Sequence, residues 1–165
     1  MKRLLFFLLM LASLAWACKT PRQAENGNTD DGALSPVEFE VLAEGGYSAI
    51  EDSLNQLILN ESDWKTFWEK INANRMPAPP LPAVNFTESC VVVSCMGSRS
   101  SGGYRTLIRE IRQEGNSLAV EVMHESPGSN CVASDAITQP YQIVVCRLPG
   151  VKKAVFSITK VNRKC

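Results

Sequence analysis

The sequence predicts an α+β protein, mainly β, with antiparallel sheets in a sandwich or open-barrel arrangement and one amphipathic helix at about residues 62–73 packed on them. Three observations predict it. From residue 37, "VEFEVLAEGGYSA" sets Val37, Phe39 and Val41 against Glu38, Glu40 and Leu42, the two-residue period of a strand with one wet face. In "ESDWKTFWEKI", Trp64, Phe67, Trp68 and Ile71 fall at i, i+3, i+4 and i+7, an apolar stripe wide enough to bury a helix against a sheet. "CVVVSCMG", residues 90 to 97, is an unbroken apolar run of strand length, as expected at a sheet centre.

The chain begins with "MKRLLFFLLMLASLAWAC", which has the charged, apolar and small-residue order of a secretory signal over residues 1–17. As a helix, Leu4 to Ala17 would span about 21 Å against a hydrocarbon core of about 30 Å, too short to cross a bilayer. Ala15-Trp16-Ala17 fits a small-x-small cleavage site, and with Cys18 behind it the segment also resembles a bacterial lipoprotein signal. The expected product is a membrane-anchored lipoprotein of a bacterial cell envelope, held by lipid on Cys18; the alternative is a secreted or periplasmic soluble protein. Residues 18–33 after the cut have no large apolar residue and read as a flexible tether. Residues 34–165 then form a single globular domain.

Charge narrows the partners. The chain has 17 basic and 17 acidic residues, and losing Lys2 and Arg3 with the signal leaves a slightly acidic protein. Nothing here supplies the basic stripe that draws a protein to nucleic acid or the polybasic patch that draws it to a membrane. Attachment to a membrane would rest on Cys18 alone.

Along the domain, Gly45-Gly46 marks a turn, and a short strand is expected around Leu57 to Leu59. Ser62 is a natural N-cap for the tryptophan helix, with Asp63 in its first turn. "MPAPPLP", residues 76 to 82, is a stiff extended connector. "YRTLIREIRQEG" satisfies a helical stripe through Tyr104, Leu107, Ile108 and Ile111, and periodicity alone makes it a helix. "NSLAVEVMHES", "QPYQIVVCRL" and "AVFSITKV" read as three further strands between glycine and proline turns.

Six cysteines in an exported chain point to disulfides, since no C-x-x-C pair or clustered histidine suggests a metal site. On one strand Cys90 and Cys95 would face opposite ways, about 16 Å apart, and so could not bridge each other. Cys95 and Cys146, each near a strand end, are candidate mates, although connectivity is not fixed by sequence and buried free thiols are the alternative. For catalysis the chain offers little: His124 is the single histidine, no serine sits in G-x-S-x-G, and Glu121, Glu125 and Asp135 have no distinguishing context. His124 reads as a surface or hydrogen-bonded residue, and no enzyme, cofactor or small-molecule substrate is expected.

The stretch "GSRSSGGY" after the central strand lacks both phosphate-loop spacings. With its flanks, "VVVSCMGSRSSGGY" resembles a motif of the PrcB-like C-terminal domain family, found in accessory lipoproteins of bacterial surface-protease complexes. "VEVMHESPGSNCVASDAITQPYQIVV", "WKTFWEK" and "VNF" are similar to the family's other segments, so the resemblance runs over residues 57–148. It implies that "YRTLIREIRQ" is a strand, and that reading is preferred because Gly-Gly suits a hairpin between neighbouring strands. It also implies a non-catalytic function, binding and stabilising a protein partner in the envelope, with a protease as a candidate. The expected docking residues are Gly97, Arg99, Gly102, Gly103, Tyr104, Pro140 and Tyr141, with the glycine loop and the Pro140-Tyr141 turn side by side at one edge. Two other readings stay open: a chagasin-like protease inhibitor, faintly echoed by "SGGY", and a structural envelope lipoprotein without a specific ligand.

Overall fold

The computed structural model describes residues 34–165; the signal segment, Cys18 and the tether expected at 1–33 lie outside the described residues. In chain order the elements are β1 (Ser35–Pro36), β2 (Phe39–Gly45), β3 (Leu54–Ile58), α1 (Glu61–Ile71), β4 (Cys90–Cys95), β5 (Arg105–Glu114), β6 (Ser117–Pro127), β7 (Tyr141–Cys146) and β8 (Lys153–Arg163). They make two four-stranded sheets, one ordered β2-β7-β4-β3 and the other β1-β5-β6-β8. Every pairing is antiparallel except β6 with β8. Two facing sheets with one helix outside give the mainly β, α+β architecture expected from the alternation and the single aromatic stripe.

The β2-β7-β4-β3 sheet is the middle layer, and its strand β4 is buried at every residue. Alternation divides that strand between two cores. Val91, Val93 and Cys95, with Ile143 and Tyr141 of β7, face Trp64, Phe67, Trp68 and Ile71 of α1. Cys90 and Val92, with Val144 and Cys146, face Ile108, Ile111, Leu118, Val120 and Val122 of the second sheet. A strand covered on both faces has no need of polar positions, which is why its sequence is an unbroken apolar run. Burying side chains of this size stabilises by about 1.5–3 kcal/mol each.

Helix α1 begins two residues earlier than the Ser62 cap implied. Asn60 is the N-cap: its Oδ1 accepts from the Asp63 amide at 2.9 Å, and its Nδ2 donates to Asp63 Oδ2 at 2.7 Å. Asn competes well with Ser as a cap because its carbonyl reaches the same orphan amides. The proline connector lies along this helix and accepts from both indoles, Trp64 Nε1 to the Pro82 carbonyl (2.9 Å) and Trp68 Nε1 to that of Pro79 (3.1 Å). Prolines lack the amide but keep the acceptor, so an extended proline run can satisfy buried indole N–H groups without needing partners of its own.

The segment 105–114 is a strand, against its helical periodicity. The pairing of β5 with β6 shifts between Ile108 and Glu110, so Arg109 is an extra residue in the ladder. That bulge lets Ile108 and Ile111, three apart, both point inward, whereas a regular strand would alternate them. A second bulge, between Val41 and Ala43 of β2, leaves Val41 exposed and turns Leu42 and Ala43 toward the helix-side core, displacing the regular alternation read there.

Two further corrections concern connections. Strands β4 and β5 belong to different sheets, so the glycine-serine segment is a crossover and does not join neighbouring strands in a hairpin. Both edges of β4 are taken by β3 and β7, so the strand after it cannot pair with β4 and instead joins the other sheet. Cys95 and Cys146 do not bridge: Cys95 faces the helix and lies opposite Tyr141, whereas Cys146 faces the second sheet and lies opposite Cys90. The disulfide joins Cys131 to Cys165, tying the loop after β6 to the end of β8, and Cys90, Cys95 and Cys146 are buried free thiols.

Candidate functional site

The residues between the two sheets change character along the strands. Toward one end Val92, Val144, Ile108 and Val122 meet; one alternation step farther stand Ser94, Gln142, Thr106 and His124, all buried. Ser94 Oγ and Thr106 Oγ1 share a hydrogen bond of 2.9 Å across the sheets. Gln142 spans the same gap: its Oε1 accepts from the Ile108 amide beside the bulge at 2.6 Å, and its Nε2 donates to Glu44 Oε2 at 2.8 Å. The bulge interrupts the ladder, and a side chain from the other sheet supplies an acceptor there.

The glycine loop roofs this polar end. Its conformation is fixed by backbone bonds to the segment before β7: Met96 N to the Pro140 carbonyl (2.8 Å), and Arg99 and Thr138 in reciprocal pairing (2.7 and 3.0 Å). The glycine loop and the Pro140 turn are therefore adjacent. Gly97 has φ +76° and lies so close to residues 51–53 that a Cβ would sit 2.7 Å from the Glu51 carbonyl. Gly103 has φ +87° and packs on Pro127, while a Cβ on Gly102 would meet Ser134 Oγ at 2.5 Å. These glycines serve backbone geometry.

Of the seven residues expected to meet a partner, Gly97, Gly102, Pro140 and Tyr141 are buried, and Arg99, Gly103 and Tyr104 are partly exposed. Tyr141 is 5% exposed and belongs to the helix-side core, where its hydroxyl accepts from Arg75 Nη2 at 3.2 Å. The aromatic after Pro140 packs inward because β7 is an interior strand. The outward surface of the loop is made of Ser98 and Ser100, with Arg99 and Tyr104 at its margin.

Beneath that margin is a cleft of about 210 Å3 lined by Met96, Arg99, Tyr104, His124, Ser126 and Lys160. Arg99 donates through Nη2 to the Met96 carbonyl (2.6 Å), and its guanidinium carbon lies 6.0 Å from the Tyr104 ring centre. Its Nε is buried without a hydrogen-bond partner. His124, 4% exposed, likewise has Nε2 without a partner, so it is neither the surface residue nor the hydrogen-bonded one that its sequence context suggested. Burial, then the positive charges of Arg99 and Lys160, hold the imidazole below its ordinary pKa. The alternation offered a signal for this cleft: His124 continues the inward phase of Val120 and Val122, and Lys160 that of Phe156.

The free thiols are a separate feature. Cys90 and Cys146 stand opposite one another, and their proximity pulls the Cys90 thiol down and pushes Cys146 up. Burial raises Cys95 to about 12, so it is a protonated, inert core residue at neutral pH.

The family model for the PrcB C-terminal domain matches residues 90–146, from β4 through β7. Over that span the chain is similar to the PrcB C-terminal domain, as its sequence motifs implied. The matched span contains the glycine crossover, the bulged strand and the Pro140 turn, but β3 and α1, which the sequence resemblance also took in, precede it. No curated protein and no solved structure matches the chain.

Proposed function

We propose that this protein is a non-catalytic accessory lipoprotein, anchored through Cys18 to a bacterial envelope, that binds and stabilises a protein partner there, with a protease as the leading candidate. The observation that carries the reading is the family match over residues 90–146, a domain of protease-complex accessory proteins. The fold is compatible with it. The matched span holds both interior strands of the middle sheet and the loop that roofs its polar end, so a rigid platform presents Ser98, Arg99, Ser100 and Tyr104.

The test is crosslinked co-purification from the native envelope. Ser98→Arg and Ser100→Arg add bulk and charge at exposed positions and leave the core untouched. Recovery of the partner should fall at least tenfold with the fold intact by circular dichroism. Undiminished recovery with both substitutions in place would remove the loop from the interface. Tyr141 is unsuitable for this experiment, because its replacement would open the core.

A further inference from the structure

The cleft between Arg99, His124 and Lys160 has the composition of a receptor for a small anion. Two polar atoms of its lining residues, Arg99 Nε and His124 Nε2, are buried and unpartnered, and leaving such groups unpaired costs about 1–3 kcal/mol each, more where the group is charged. Lys160 on β8 stands directly across from His124 in the β6–β8 ladder, so a third donor converges from the neighbouring strand. Ser126, two residues beyond His124 on the same strand, and Tyr104 add further polar atoms at the wall. The cleft lining contains two cations and no carboxylate.

We propose that this cleft binds a carboxylate. The two unpartnered donors suit the two oxygens of that group, one accepting from Arg99 Nε and the other from the neutral imidazole when its hydrogen is on Nε2, with Lys160 closing the open side. Arg99 has already committed Nη2 to the Met96 carbonyl, so the guanidinium is positioned before the anion arrives. A single negative charge suits the two unpartnered donors, which match the two oxygens of a carboxylate one for one. This inference does not depend on a protein partner: the carboxylate could belong to a chain terminus, an acidic side chain or a free acid.

His124 is the chain's single histidine, so its ring signals report on this cleft alone. The full-length untagged protein is titrated with sodium acetate at constant ionic strength while the His124 ring is followed by heteronuclear NMR. Saturable shifts and a rise in the His124 titration midpoint are expected. Lys160→Gln, at an exposed position, should weaken acetate at least tenfold, as should Arg99→Lys, which keeps the charge but lacks Nε. Lys160→Glu should raise the midpoint without acetate and abolish the response. Equal shifts with chloride, or tighter binding of inorganic phosphate than of acetate, would overturn the assignment, as would a full response in Lys160→Gln. Two short peptides that differ only in a free or amidated C-terminus then separate a chain terminus from an acidic side chain. The result is independent of co-purification, so this proposal and the accessory reading can fail separately.

Discussion

Two ends of one inter-sheet space are built from the same four strands and are held together differently. At the first, Cys90, Val92, Val144 and Cys146 of the middle sheet meet Ile108, Ile111, Leu118, Val120 and Val122. At the second, Ser94 and Gln142 meet Thr106 and His124. The apolar end draws its stability from area removed from water, which tolerates small rearrangements. The polar end depends on named pairs, each of which becomes a cost when one member is lost.

The largest expected effect lies at the apolar end. Leu118 is fully buried, and Leu118→Ala should lower unfolding free energy by about 2–5 kcal/mol in urea titrations. A loss below 1 kcal/mol would mean that the two sheets pack less closely than the buried side chains imply. At the polar end, Gln142→Leu keeps similar bulk but deprives the Ile108 amide of its acceptor, and should cost about 1–3 kcal/mol. Because that bond crosses between sheets, hydrogen exchange of the Ile108 amide should quicken more than that of its neighbours.

A smaller effect separates the two kinds of end most clearly. Ser94→Val leaves the Thr106 hydroxyl buried and unpaired, and should cost about 1–2 kcal/mol. Replacing both, Ser94→Val with Thr106→Val, removes donor and acceptor together and should recover most of that loss. If the double variant is as unstable as the two single losses added, the pair is not acting as a hydrogen bond, and the polar end differs from the apolar one in name only.

What the sequence made legible follows the same division. The unbroken run at 90–95 and the stripe from Trp64 to Ile71 were readable because full burial and helical burial each write a periodic signal. Strand β5 was read as a strand only through the family resemblance, since its bulge at Arg109 imitates a helical spacing. The crossover of the glycine segment was hidden because glycine content reports a change of direction and not which sheet the chain enters. The Cys131–Cys165 pairing was hidden for a related reason: it depends on where β8 ends, and β8 runs parallel to β6 after a long detour. For the candidate site, Arg99 and Tyr104 come from the one segment the sequence singled out, whereas His124 and Lys160 come from strands twenty or more residues away. Only the parallel register brings those two together.

That register gives the subtlest test of the comparison, the pH dependence of stability contributed by His124. In the unfolded chain the imidazole titrates near 6.5, and in the fold burial together with Arg99 and Lys160 holds it lower. Above pH 6.5 it is neutral in both states, and its contribution to stability is fully present. As pH falls through 6.5 the unfolded chain takes up a proton that the folded protein refuses, so stability declines until the depressed folded midpoint is reached. His124→Gln should remove this part of the slope, visible as the difference between the two proteins' unfolding free energies across that window. Lys160→Gln, by taking away one repelling charge, should raise the folded midpoint and narrow the window without closing it. An identical pH profile for wild type and His124→Gln would mean that the polar end accommodates the charged imidazole freely, and that the unpartnered Nε2 is no constraint on the fold.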